Sequence, residues 1–358
     1  MVDDTRKDWF TIEPADPPNQ GILFVDHASA GRSGHLGHAL VEYGPGKILA
    51  FYANCSDFKK GHSGDGWMEY KRSEDGGRSW SESAVLEYSK QVYDSDPEHS
   101  VMFEKALRAK DGALVLFGLE CRGKGWEPLA VPSYLRSTDS GHTWEPARPM
   151  GDEPARIWDA VHHAGDILVL ELCNDSTIQW HGNLPEHHYA LHASEDNGLT
   201  FTRRSILPFD VIGRGYGTME TLPDGCLIAC VYNIDDENNL DYVTSDDGGR
   251  SWSAVQTTFM AKKIRNPQMV RFREGYVLHG RSGEKKGKGG RNFALYTSRD
   301  GINWDDGRFL RMGEAGAGAY SNNLVVHDPE TGEVPGLLIQ ASHAYHEYMT
   351  NVLHWWLR

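Results

Sequence analysis

The sequence predicts an all-β chain folded as a six-bladed β-propeller, and three observations carry that prediction. The first is a recurring octet. Ser73-Glu74-Asp75-Gly76-Gly77-Arg78-Ser79-Trp80 returns as Ser-x-Asp-x-Gly-x-Ser/Thr-aromatic at residues 137–144, 194–201 and 245–252, and one residue shorter at 298–304. The second is its spacing: starts lie about 50 to 65 residues apart, the length of one four-stranded blade. The third is that every unit, with or without the octet, opens with a Gly-containing turn followed by an apolar strand. Five units with the octet and one without make six.

In chain order, residues 21–25 (Gly-Ile-Leu-Phe-Val) form one strand-like run and residues 351–357 (Asn-Val-Leu-His-Trp-Trp-Leu) another. The two ends are expected to share the last blade, which closes the ring and leaves no exposed edge. The opening turns are Gly44-Pro45-Gly46, Asp111-Gly112, Ala164-Gly165-Asp166, Asp224-Gly225, Glu274-Gly275 and Thr331-Gly332. The strands after them are 48–52, 113–117, 167–172, 226–231, 276–278 and 337–340. Each octet suits a hairpin loop between the third and fourth strands: its Asp accepts hydrogen bonds from turn amides and its Gly supplies positive φ. The closing Trp or Phe is an apolar wedge for the space between sheets. A propeller of 358 residues is one domain, here 1–358, so the repeat overrides what length alone would suggest.

Composition narrows the partners. A net charge of −15 argues against nucleic acid or an anionic membrane, since phosphate binding needs a positive surface. No apolar run is long enough to span a bilayer. A local arginine cluster can still reverse the field inside one pocket, so an anionic sugar remains open. Five cysteines, an odd number, do not read as a disulfide framework; they read as small buried hydrophobes. The start, Met1-Val-Asp-Asp-Thr-Arg-Lys, lacks a secretory signal pattern, and a cytoplasmic location is expected.

The repeat also locates a site. Residues about ten before each turn glycine, and residues just after each second strand, should ring the axis on one face, with the octets on the opposite, outer side. Blade one then offers His35 and His38, followed by Asp57 and Asp65, and blade two offers His99 and Glu120. Blade three offers Arg156, Trp158 and Asp159, and blade four Arg214 and Tyr216. From blade five come Arg265, Asn266, Arg281 and Arg291, and from the last Tyr320. Such a set suits a carbohydrate. Arginines grip a carboxylate, carboxylates, histidines and tyrosines move protons or attack carbon, and Trp158 can stack on a sugar ring.

The octets resemble the Asp-box, or BNR, repeats of the sialidase superfamily, and the resemblance covers nearly the whole chain. It implies a pocket in which three arginines hold a substrate carboxylate, a tyrosine activated by a glutamate is the nucleophile, and an aspartate is the acid. Residues 290–298 resemble the segment that carries the third arginine, here Arg291. Ala319-Tyr320-Ser321 resembles the segment bearing the nucleophile, here Tyr320. Other positions depart. Gly34-His35-Leu36-Gly37-His38 stands where the family has Arg-Ile-Pro. Tyr216 lies near the register of the glutamate, with Glu220 deeper in the strand. Val231-Tyr232-Asn233 stands where the second arginine belongs; Arg214 or Arg265 could substitute in space. Asp57 and Asp65 both fit the acid.

The expected activity is therefore release of a terminal acidic sugar, a sialic or related ulosonic or uronic acid, by a sialidase-like glycoside hydrolase. Arg291 with Arg281, Arg265 or Arg214 would hold the carboxylate. Substrate contacts are also expected from His35, His99 and Trp158. His38, Tyr216 and Tyr320 also form a kit for β-elimination at a uronic acid, which makes a polysaccharide lyase the alternative enzyme. A non-catalytic glycan-binding propeller is the alternative outside enzymes. The close histidine pairs His35/His38, His162/His163, His187/His188 and His343/His346 match no recognised zinc spacing, so no metal and no cofactor are expected.

Overall fold

A computed structural model of the chain describes residues 9–14, 21–57, 63–124, 130–173, 187–286, 290–311, 320–342 and 350–358, with the side chains of 283–292 and 311 outside that description. It contains six antiparallel sheets. Blade one comprises Leu40–Gly44, Lys47–Cys55, Gly66–Ser73 and Ala84–Val85. Blade two comprises His99–Arg108, Leu114–Arg122, Ser133–Ser137 and Arg148–Pro149. Blade three comprises Ala155–His163, Asp166–Cys173, His188–Ser194 and Thr202–Leu207. Blade four comprises Arg214–Thr221, Leu227–Asn233, Asn239–Ser245 and Gln256–Phe259. Blade five comprises Arg265–Phe272, Gly275–Lys286, Gly290–Ser298 and Arg308–Arg311. Blade six comprises Ser321–Val326, Gly336–Ser342 and Val352–Leu357. Each first strand packs on the next, and the first strand of blade six packs on that of blade one, so the ring closes around a hub.

Closure is made by the two ends of the chain, as the sequence predicts. Val352–Leu357 pairs with Ile22–Val25 and, further along, with Ile12–Glu13. Ahead of these, Phe10 is buried against Phe272 of blade five. The second strands are apolar at nearly every position because both of their faces are covered by neighbouring blades; Lys47–Cys55 and Gly336–Ser342 are buried almost throughout.

The octets sit between third and fourth strands and act as structural loops. Asp75 Oδ1 accepts from Ser73 Oγ (2.9 Å) and from the amides of Arg78 and Ser79 (3.0 and 2.9 Å), while Oδ2 accepts from the Ser79 hydroxyl (2.6 Å). Asp139, Asp196 and Asp247 repeat this pattern. In the short copy the Asn303 side chain donates to Asp300 in place of the hydroxyl (2.7 Å). The octet glycine lets the loop lie on the preceding blade: Gly249 has φ +82°, and a Cβ there would stand 2.3 Å from Leu191 of blade three. The closing aromatic fills the same seam. Phe201 packs edge-on against Phe117 and Tyr134 of blade two at 5.5 and 4.9 Å.

One element has no counterpart in the repeat. The helix Glu87–Ser95 follows the two-residue outer strand of blade one. Its Ser89 hydroxyl accepts the amide of Met68 (2.6 Å), and Tyr88 and Val92 pack on the core, so the helix covers an edge that the short strand leaves open. All five cysteines are free, four of them buried. Among the described residues no helix is long and apolar enough to cross a membrane.

Candidate active site

Four consecutive first strands share an irregularity that decides what faces the axis. Their pairing with the second strand skips Glu104 in blade two, Trp158 in blade three, Tyr216 in blade four, and Asn266 with Pro267 in blade five. A bulge re-aims the extra side chain. Here Glu104, Trp158, Tyr216 and Asn266 all line one axial cavity, joined by His38, Arg156 and Tyr320. Two of the bulged residues have left-handed backbones, Tyr216 at φ +35° and Asn266 at φ +51°. Asn tolerates that region; a bulky aromatic does so only under constraint from its surroundings.

At the centre, the phenol oxygens of Tyr216 and Tyr320 are 2.6 Å apart. The guanidinium of Arg156 lies over the aromatic cluster, 4.5 Å from the ring of Trp158 and 5.2 Å from those of Tyr216 and Tyr320. Glu104 holds it from behind through two bonds, Nη2 to Oε1 at 2.6 Å and Nε to Oε2 at 3.2 Å. Burial opposes the charge on Arg156, but Glu104 and the two phenols outweigh it and push its pKa further up. Burial, with the neighbouring Tyr320 phenol, raises the Tyr216 pKa well above the usual tyrosine value, against the pull of Arg156. Tyr216 therefore remains protonated at neutral pH and can donate to Tyr320. His35 is fully buried and meets the Tyr320 ring edge-on at 4.8 Å.

His38 is also buried, and burial lowers its pKa to about 3, so it is a neutral hydrogen-bonding group here. That separates it from an arginine in the same place, which would bring a permanent charge. Three polar groups from three blades line the cavity without a partner among the described residues: His38 Nε2, the Trp158 indole N–H and the Asn266 side-chain amide. All three residues are at least nine-tenths buried. Buried polar groups are almost always paired, and these three can each bond a polar group that enters the cavity.

A polar plug forms the floor. Lys105 of blade two bonds Asp159 of blade three (2.9 Å), Asn322 of blade six (2.7 Å) and Gln268 of blade five. Asp159 in turn accepts from the hydroxyl of Thr218 in blade four (2.6 Å) and from the amide of Met219. Each charge on the axis is thus matched, which keeps the burial from being prohibitive. Beyond the plug a wider cavity of about 280 Å³ opens toward the other end of the hub.

The structure brings Tyr320, Tyr216, His38 and Trp158 together, with His35 against them. Other expected residues lie elsewhere. Arg214 is turned to Asp241 of its own blade (2.5 Å) and Arg265 to Glu237. His99 bonds Glu120 at 2.9 Å within blade two. Asp65 is buried with its oxygens held by Ser56 (2.9 Å) and Tyr93 (2.8 Å), and Asp57 is exposed at the end of its strand. None of Arg214, Arg265, His99, Glu120, Asp65 and Asp57 lines the described cavity. Equivalent strand ends therefore part according to their local partners: Arg214 and His99 turn to carboxylates of their own blades, Arg265 to Glu237 of blade four, and Asp65 to two hydroxyl groups. Arg281 is buried within the strand Gly275–Lys286, where its charge acts on Tyr232. Arg291 lies in the strand Gly290–Ser298, and its side chain is outside the described residues.

Glu104, Lys105, Gln268 and Asn322 were not anticipated. A signal for the first two was present, since Glu104-Lys105 interrupts the apolar run 101–107 in the middle of a strand that must be buried.

Residues 46–330 match the sequence model of the BNR repeat-like domain. The chain belongs to that family. No curated protein matches its sequence. Among solved structures, a protein of unknown function from Dyadobacter fermentans superposes with a TM-score of 0.68 at 15% identity, covering 94% of this chain and 97% of that one. A Hadza microbial sialidase gives 0.67 at 14% identity, covering 93% and 68%. An α-L-arabinanase from Penicillium chrysogenum, complexed with arabinobiose, gives 0.56 at 13% identity, covering 90% and 96%. The BNR-family chain therefore shares its propeller with glycoside hydrolases, and identities this low speak to fold alone.

Proposed function

We propose that this BNR-family propeller is a glycan-cleaving enzyme that releases a terminal acidic sugar by hydrolysis, with Tyr320 as nucleophile. The observation that carries the reading is the phenol pair inside the axial cavity. Tyr216, kept protonated by burial, can donate to the Tyr320 oxygen 2.6 Å away, and Arg156 adds positive charge 5.2 Å from the Tyr320 ring. A hydrogen-bond donor and a nearby cation are what an oxygen nucleophile attacking an anomeric carbon draws on. The groups of His38, Trp158 and Asn266 that have no partner among the described residues supply donors and acceptors for sugar hydroxyls. The likeness to a sialidase supports an acidic sugar.

The partner of Tyr320 favours a second reading. A phenol stabilised by another phenol suits proton abstraction as well as attack, and from C5 of a uronic acid this gives β-elimination. The deciding experiment is incubation with sialylated, uronate-containing and arabinose-containing oligosaccharides, with products weighed by mass spectrometry. Hydrolysis adds one water and leaves a saturated acidic sugar; elimination adds none and leaves an ultraviolet-absorbing product. Tyr320→Phe should lower turnover about 10²–10⁴-fold. Full turnover by that variant, or no product from any glycan in the panel, overturns the assignment.

A further inference from the structure

A second cluster of reactive side chains lies away from the phenol pair, at the end of blade three where its first strand begins. Cys173 ends the second strand of that blade, and the strand register places His188, the first residue of the third strand, directly across from it. Glu153 lies just before the first strand, whose Ala155 is the opposite neighbour of Cys173. The sulfur of Cys173, a ring nitrogen of His188 and a carboxylate oxygen of Glu153 all lie within 4.8 Å of one another. Glu153 Oε2 is 3.4 Å from His188 Nε2, while Oε1 is held by Arg203 (2.6 Å), which fixes the carboxylate with one oxygen toward the cluster.

We propose that Cys173, His188 and Glu153 bind a zinc ion. The donor chemistry selects the metal. A thiolate with an imidazole suits zinc, whereas magnesium and calcium take oxygen ligands. Tetrahedral zinc, with bonds of about 2.0–2.3 Å, sets one sulfur, one nitrogen and one oxygen about 3.3–3.5 Å apart, so the present spacing closes by up to roughly 1.5 Å. Glu153 is half-buried, and three protein ligands leave the fourth position of a tetrahedral ion to a further ligand.

A supporting pair lies beside these residues. Glu171 is two residues before Cys173, on the same face of the strand, and is 1% exposed. Its Oε2 is 3.2 Å from Nδ1 of His192, and its Oε1 has no partner among the described residues. An orphaned carboxylate oxygen this deep is expensive unless a cation or donor is nearby. On binding, the Cys173 thiol gives up its proton to solvent and the sulfur donates to the ion. No local spacing announces the site, because its three residues are far apart in sequence and are joined only by strand register.

The test uses the whole chain, loaded with zinc, dialysed against metal-free buffer and measured by elemental mass spectrometry. About one equivalent should remain in the wild type and in Cys230→Ser, a buried-cysteine control in blade four, and be lost from Cys173→Ser and His188→Gln. Cobalt(II) read by absorbance should show a sulfur-to-cobalt charge-transfer band in the wild type, which needs no variant to fold. No retained zinc, equal retention by both ligand variants, or cobalt bound without that band overturns the proposal.

Discussion

Asn266 and Tyr216 show how the cavity is made at the cost of local strain. Both are skipped in strand pairing and both have positive φ, yet both are buried where they line the axis. Left-handed backbone at a non-glycine residue costs on the order of 1–3 kcal/mol, less for Asn. Asn266→Gly should therefore leave the urea midpoint unchanged or raised while it increases KM several-fold, because strain is relieved and an unpartnered amide is lost. A lower midpoint together with an unchanged KM would show that Asn266 is structural. The same scale separates what could be read early from what could not. Tyr216, Tyr320, His38 and Trp158 were legible from their distance to the turn glycines. Glu104 was missed although it interrupts an apolar run, because nothing in the sequence marks Arg156 of the next blade as its partner.

At the scale of the element, the octet is a hydrogen-bonded loop pressed against the preceding blade, and its two functions can be tested apart. Gly249→Ala places a Cβ 2.3 Å from Leu191 at φ +82°, whereas Gly76→Ala, at φ +73°, meets nothing within 4 Å. The Gly76 change should cost about 1–2 kcal/mol from backbone strain alone, and the Gly249 change about 1–3 kcal/mol more from overpacking, both read from urea midpoints. Hydrogen bonds from the Ser79 side chain lead in holding the Asp75 pKa at about 2, below its ordinary 3.8. A depressed carboxylate stabilises the fold above its unfolded pKa and loses that contribution as pH falls through the folded value. Asp75→Asn should thus be less stable than wild type at pH 7, with the gap closing as pH approaches about 2. A gap that is constant with pH would separate the loop's stability from the ionised carboxylate. Sequence made this element plain because all its partners lie within eight residues.

For the molecule as a whole, the question is what holds six sheets in a ring. One answer is the closure strand: Ile22–Val25 and Ile12–Glu13 complete the last blade, and Phe10 packs on blade five. Removing residues 1–30 should strip that blade of its outer strands and abolish cooperative unfolding, seen as a broadened, low-amplitude calorimetric transition. A truncated chain that melts sharply would show that the ring closes without its N-terminal strands. The other answer is the plug, where Lys105, Asp159, Thr218, Gln268 and Asn322 join five of the six first strands across the axis. No pattern in the sequence pairs these residues, since each partner is supplied by a different blade.

The sequence by itself determined the number of blades, the seam through which the ring closes and the positions of the five octets. These follow from short-range hydrogen bonding and hydrophobic alternation repeated along the chain. Only the tertiary structure decided which polar residues share the axis. Arg156 with Glu104, Tyr216 with Tyr320 and Cys173 with His188 each meet through strand register, bulge position and the competition of neighbouring charges. Those are properties of strands already assembled, and a linear pattern does not carry them.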